Sequence, residues 1–216
     1  MTKHLFSSQN SLITQYLNEL RDVSKQTNRR LFNENLQQIG FLMGYEISKH
    51  LTWKEIEVTT PLAVCKSAEL EEQPVIIGIM RAGAPLLEGL RKAFDAADIG
   101  FIGAFRNHPT NDDSFEIALD YLACPSLEGR IVILADPMLA TGQSLVKTVK
   151  QLEKHGKPKA IHIVSVVGAP EGIAYLEQEI PHITLWLAAQ DSHLNTHSYI
   201  VPGLGDAGDL CFGPKL

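Results

Sequence analysis

The sequence predicts an α/β protein: a doubly wound parallel sheet with helices on both faces. Three observations carry this expectation. Apolar runs near residues 75–80, 99–105, 131–135, 161–167 and 183–188 have the length and character of buried strands. Segments with helical apolar spacing separate them, which is the alternation that builds parallel sheets. Two of the runs end in small-residue loops, Arg81-Ala-Gly-Ala-Pro85 and Asp136–Ser144, the usual passage from strand to helix in such a sheet.

Taken in order, residues 11–50 read as mostly helical. Leu12, Tyr16, Leu17 and Leu20 fall on one face, and Phe32, Leu36, Ile39, Leu42 and Met43 form a second stripe. Gly40 and Gly44, four apart, suit a close helix contact. The basic cluster Arg21, Lys25, Arg29 and Arg30 reads as a solvated face, with contact to a diphosphate as the alternative. Residues 51–72 change character: Ile56–Val64 alternates apolar and polar, as an exposed hairpin arm does.

Val75–Met80 is a buried strand, followed by a helix over about Leu86–Phe94. Arg81, leaving the strand onto an Ala-Gly turn, is either a surface charge or an anion donor. Ile99–Phe105 is the next strand and ends in Arg106-Asn107. Residues 107–124 begin polar and then alternate.

Ile131–Ala135 is flanked by Gly129-Arg130 and reads as strand. Asp136 comes at its end, where Pro137 prevents simple continuation. The chain turns through Ala140-Thr141-Gly142, and Leu145, Val149 and Leu152 then follow helical spacing after Ser144. Loop amides and a helix N-terminus thus converge on one point, which suits a phosphate. Asp136 suits a ribose hydroxyl or a metal-bound water. A capped strand-loop-helix unit that binds nothing is the plain alternative.

Ala160–Val167 and Ile183–Ala188 are the last strands, with a helix from Pro170 between them. Gly203-Leu-Gly-Asp-Ala-Gly208 has the Gly-x-Gly-x-x-Gly dinucleotide spacing. That fingerprint needs a long helix, a returning strand and a distant acidic residue. Eight residues follow Gly208, too few for that unit. On the residues alone the stretch reads as a rigid, glycine-rich terminal loop.

Composition narrows the classes further. A net charge of −6 gives no reason to expect nucleic acid or an anionic membrane as partner. No apolar run reaches the ~20 residues of a membrane span, and the N-terminus lacks a signal-peptide core. Three cysteines, far apart and odd in number, suggest neither disulfides nor a Cys-rich metal site. A cytoplasmic setting is expected.

Several strings resemble the uracil branch of the phosphoribosyltransferase family. Asp136-Pro-Met-Leu-Ala-Thr-Gly-Gln-Ser144, preceded by Ala135 instead of a second acid, resembles its phosphoribosyl-diphosphate loop. Ile79-Met-Arg-Ala-Gly83 is similar to its pyrophosphate loop, and Gly103-Ala-Phe-Arg-Asn107 to its Gly-x-Tyr-Arg-Asn. Val167-Gly-Ala-Pro-Glu-Gly-Ile173, Asp191-x-x-Leu-Asn195-x-His197 and Tyr199–Asp209 match it as well. There are departures: Phe105 replaces a tyrosine, the flap pattern Glu-Thr-Leu-x-Pro is missing after Arg106, and Gln143 replaces a glycine. Leu210 replaces a basic residue, and Pro214 stands where relatives end Gly-Thr-Lys. If position 143 needed φ > 0, glutamine would cost about 1–2 kcal/mol there.

The resemblance implies a phosphoribosyltransferase-like sheet with N-terminal helices, a protruding arm over about 51–72 and a base-binding hood over about 190–216, all in one domain. It implies transfer of the phosphoribosyl group of 5-phosphoribosyl 1-diphosphate to N1 of uracil, giving UMP and pyrophosphate. Arg81, Arg106 and Asp206 would be catalytic, acting by positioning and charge neutralisation. Arg81, Arg106, Asp136, Pro137, Met138, Leu139, Ala140, Thr141, Gly142, Gln143, Ser144 and Asp206 would hold the diphosphate substrate. Ile200, Gly205, Asp206 and Ala207 would contact uracil. Magnesium would be bound mainly through the diphosphate, with no confident protein ligand. His197 would be structural. A homodimer or homotetramer packed through the arm is implied, and activation by a purine nucleotide is left open. A regulatory, RNA-binding or nucleotide-sensing member of the fold, or a transferase for another base, is the competing expectation.

Overall fold

The computed structural model describes residues 1–107 and 116–215, and for 104–107 and 116–120 the backbone alone. Five strands, β4 (Val75–Met80), β5 (Asp98–Asn107), β7 (Ile131–Ala135), β9 (Ala160–Gly168) and β10 (Thr184–Gln190), correspond to the five apolar runs. Each pairs with its neighbour in parallel, in the order β10-β9-β7-β4-β5. β4, β7 and β9 are buried along almost their whole length, so their residues read as continuous apolar runs and not as alternation.

The edges were not anticipated. β1 (Thr2–Leu5) adds a parallel strand beside β10, and β6 (Glu116–Ala123) closes the far edge antiparallel to β5. Four polar-rich residues carry too little pattern to announce β1. What seats it is a contact: the His4 ring stacks on Trp186 with centroids 4.0 Å apart. The buried indole N–H donates to His162 Nδ1 at 3.1 Å. Burial lowers the His162 pKa to about 4, which keeps the imidazole neutral and able to accept. A two-residue strand, β8 (Met138–Leu139), lies against the end of β9.

Helices cover both faces. On one side α1 (Leu12–Arg21), α2 (Arg29–Ser48), α3 (Gly83–Ala93) and α6 (Ala207–Phe212) share a core with Ile76, Ile133 and Trp186. On the other, α4 (Gln143–Leu152) and α5 (Pro170–Glu179) pack on Val75, Ile77 and Ile163. In α1 the buried stripe is Ile13, Leu17 and Leu20, while Leu12 is 54% exposed, so the expected face is rotated by one residue. The α2 stripe is as read, with Ile47 added. α3 begins three residues before Leu86. Pro85 is tolerated in its first turn, where no internal acceptor awaits an N–H.

Gly40 and Gly44 do permit the close contact, and it is with α3. A Cβ at Gly40 would overlap the Leu86 carbonyl oxygen, and one at Gly44 would stand 2.6 Å from Ala93 Cβ. The arm is also present: β2 (Trp53–Thr59) and β3 (Val64–Leu70) form an antiparallel hairpin exposed on nearly every residue. Thr60 closes its turn, its Oγ1 accepting from the amides of Leu62 and Ala63 at 3.2 and 3.1 Å.

Gly40→Ala is expected to lower Tm by several degrees. Forced separation of well-packed elements costs about 1–3 kcal/mol, and a chain of this size loses roughly 2–4 °C per kcal/mol. An unchanged melting curve would show that α2 and α3 can part without loss.

Candidate active site

The two loops singled out in the sequence emerge at the same sheet edge, as expected for ligand binding in an open α/β fold. With the chain beyond β10 they enclose a cleft of about 620 Å³. Arg81, Asp136, Met138, Ala140 and Ser144 line it on one side, and Ile200, Gly205, Asp206 and Ala207 on the other. The structure thus brings together residues that lie more than a hundred positions apart.

Not every expected residue reaches the cleft. Pro137 and Leu139 are buried beneath it, their carbonyls accepting from Val166, Val167 and Ala169 amides and pinning the loop to β9. Thr141, Gly142 and Gln143 are also outside the lining. The backbone of Arg106 is the penultimate residue of β5, three beyond the Gly103 partner of Met80, and its side chain lies outside the described residues. Of the stretch expected as a flap, 107–124, residues 108–115 are also outside the described residues, and Glu116–Ala123 form β6.

The left-handed residue of the loop is Gly142, with φ +78° at the N-terminal cap of α4. A side chain there would also meet Leu176 Cδ1 at 2.6 Å and the Gly172 carbonyl at 2.8 Å. Gln143 follows it as the first helical residue. Among described non-glycine residues only Ser198 has positive φ, so the strain considered for Gln143 does not arise. Its side chain is exposed.

Asp136 stands at the end of β7. Its Oδ1 accepts from the Met138 amide at 3.2 Å, and the residue is half-buried in the cleft wall. Burial pushes its carboxyl up from 3.8 to about 6, opposed weakly by that one amide. The resting site therefore holds a desolvated carboxylate that gains from any hydroxyl, water or cation offered to it.

The hood hangs on a second buried carboxylate that sequence reasoning left without a role. Asp191 accepts from Arg21 Nη2 at 2.6 Å and Nη1 at 3.1 Å, and from the Gly203 amide at 2.9 Å. Arg21 Nη1 also donates to the Gly203 carbonyl at 3.2 Å. Arg21 is therefore not part of a solvated face. Arg30, paired with Glu34 at the surface, is, and none of the four basic residues lines the cleft.

Beyond Asp191, β11 (His193–Leu194) and β12 (Ile200–Val201) form a small antiparallel ladder. Asn195 Oδ1 closes its turn, accepting from the His197 and Tyr199 amides at 2.9 and 3.0 Å. Gly205 takes φ +86° and packs under Leu210, whose Cδ1 would be 3.4 Å from an added Cβ. Leu210 thus fills a packing role where a basic residue was expected. Asp206 caps α6, its Oδ1 accepting from the Asp209 amide at 3.0 Å. The six residues of α6 are no dinucleotide helix, which removes the Gly-x-Gly-x-x-Gly reading for good.

The profile of the uracil phosphoribosyltransferase family matches residues 7–214. The chain belongs to that family. It is 39% identical over 210 residues to a uracil phosphoribosyltransferase of Porphyromonas gingivalis, covering 97% of each chain. It is 41% identical over 207 residues to one of Thermococcus gammatolerans, covering 94% of this chain and 90% of the other. Among solved structures, the AQ2163 protein of Aquifex aeolicus superposes with a TM-score of 0.87 at 30% identity, covering 99% of this chain and all of that one.

A folded-state pKa above the unfolded value means that folded Asp136 keeps a proton the unfolded chain has released. Stability therefore falls as pH rises from about 4 to about 6, by on the order of 2 kcal/mol, and stays lower above that window. Asp136→Asn keeps an acceptor for the Met138 amide and carries no charge. It is expected to raise Tm of the ligand-free protein by a few degrees at pH 7.5 and to bring no gain at pH 4. Melting curves at the two pH values check this; equal Tm values at pH 7.5 would show that the carboxylate is well solvated.

Proposed function

We propose that this protein transfers the phosphoribosyl group of 5-phosphoribosyl 1-diphosphate to uracil, releasing pyrophosphate and UMP. One observation supports the reading: a single cleft has Arg81, Asp136 and Ser144 on one wall and the glycine-rich backbone around Gly205 on the other. Family membership makes the assignment specific to uracil.

The side chains in the cleft suit the tasks that the reading gives them. Arg81 neutralises charge on the departing pyrophosphate, the task that the resemblance also assigns to Arg106. Asp136 accepts from the ribose hydroxyls, a contact that recovers its solvation. Asp206, at the cap of α6, faces the sugar between the two walls. Ile200 covers the base face while the backbone at Gly205 and Ala207 reads its edge. The transition state is oxocarbenium-like, so orientation and electrostatic stabilisation are the levers and no protein nucleophile is required.

The donor set fits magnesium brought in with the substrate. No cluster of three or more metal-ligating side chains occurs among the described residues, and this cation ordinarily keeps waters and leans on substrate phosphates. Asp136 and Asp206, both in the cleft wall, would hold its waters. When bound, it would offset charge on the diphosphate.

The exposed arm supports self-association. An isolated two-stranded hairpin is marginal in water, and this one carries Trp53, Val58, Leu62 and Val64 in solvent. A second copy of the chain would cover them. No helix of the described residues is long and apolar enough to cross a membrane, and we place the enzyme in the cytoplasm.

Purified protein incubated with phosphoribosyl diphosphate, magnesium and radiolabelled uracil is expected to yield labelled UMP. Preferential use of hypoxanthine or guanine would overturn the base assignment. A base read by backbone groups is sensitive to backbone geometry more than to side-chain trimming. Gly205→Val places a β-branched residue at φ +86° against Leu210. Ile200→Val removes one methyl, ordinarily about 0.5–1.5 kcal/mol. The first is expected to lose at least about tenfold more uracil turnover than the second, since ~1.4 kcal/mol already gives that factor. Similar kinetics for the two would remove the hood from base recognition.

A further inference from the structure

Arg81 is held from behind. Its Nη2 donates to Asp209 Oδ1 at 2.8 Å and its Nη1 to the Gly213 carbonyl at 3.2 Å. Arg81 lines the cleft, whereas neither Asp209 nor Gly213 does. A guanidinium has five N–H groups, so each tied nitrogen retains a second one.

We propose that Asp209 is a positioning residue: its carboxylate aims Arg81 so that the second N–H of each terminal nitrogen meets the diphosphate of the substrate, the Nε–H being buried. This rests on the transferase reading given above. The pair is a poor stabilising device, with the two side chains 37% and 39% exposed, and such ion pairs add little to folding. What it supplies is direction. A long arginine free in solvent samples many rotamers and must give them up on binding; an arginine already held loses far less.

Asp209 also joins the two walls. Its amide donates to Asp206 Oδ1 while its carboxylate holds Arg81. One residue of α6 thus fixes both the aspartate at the base-reading turn and the arginine of the pyrophosphate loop. The opposite role, a carboxylate that competes with the diphosphate for Arg81, would place Asp209 in the cleft. It is outside it.

The test uses the full chain with Asp209→Asn, and Asp209→Ser as a second variant should the first not fold. Read out are kcat, KM for each substrate, Ki for pyrophosphate and Tm. The expected result is a rise of about fivefold or more in KM for phosphoribosyl diphosphate and in Ki for pyrophosphate, since a charge-assisted bond is lost. KM for uracil should stay within about twofold and Tm within a few degrees, because an exposed pair contributes little to folding. In an Arg81→Met background the same substitution should add little, because the cation that pairs with Asp209 is gone. Unchanged or tighter diphosphate binding overturns the role, as does an equal loss for both substrates that follows Tm. Wild-type protein that neither binds phosphoribosyl diphosphate nor uses uracil overturns the functional reading and this role with it. Active wild type with an unaffected Asp209→Asn overturns the role alone.

Discussion

Burying both faces of a parallel sheet is the constraint from which the rest of this structure follows. Buried strands admit few polar side chains, because a polar group withdrawn from water without a partner costs several kcal/mol. The strands β4 and β7 are accordingly apolar from end to end, and β9 interrupts its apolar run only at His162, which accepts from Trp186, and at Ser165. Chemistry is displaced to the loops at the carboxyl edge, where Arg81 and Asp136 leave the sheet on adjacent strands. A parallel sheet also needs a crossover for every strand, and those crossovers supply the α3 and α4 helices that the two loops enter.

The second wall of the cleft cannot come from the sheet, so it is brought in by the chain after β10 and must be fastened. Asp191 does this. It is buried, takes both nitrogens of Arg21 and the Gly203 amide, and so ties the hood to α1. Removing one partner of such a pair would strand a buried charge, typically at about 3–5 kcal/mol. Asn195 then shapes the turn and Asp206 caps α6, so every bend of the hood has a named acceptor. The Arg81–Asp209 contact finishes the enclosure with a weaker, exposed pair, suited to aiming a side chain and not to holding up the fold.

Asp136 shows the opposite economy. Its carboxylate is desolvated with a single amide for company, which raises its pKa to about 6 and makes the ligand-free protein less stable at neutral pH. Perturbed carboxylates of this kind commonly mark functional sites, and this one stands in the cleft wall.

The sequence by itself determined the five central strands, the two loops at their ends, the α2 stripe with its glycine contact, and the arm. Each of these is local: a run, a period, a turn residue. It also carried the family strings, and of the residues they pointed to, Arg81, Asp136, Met138, Ala140, Ser144, Ile200, Gly205, Asp206 and Ala207 line the cleft. What it did not carry was anything depending on distant partners. β1 exists because His4 finds Trp186, and a four-residue polar strand has no period to announce it. Arg21 looked like surface charge until Asp191, far along the chain, was folded against it. Gln143 looked strained until the structure put the left-handed turn on Gly142. Asp209 stood inside a recognised string without a role until Arg81 came within 2.8 Å. Local pattern sets which segments become strand, helix or turn, because those choices are made over a few residues. Which charges meet, and which carboxylate stays dry, is decided by packing, because only the closed tertiary structure fixes those distances.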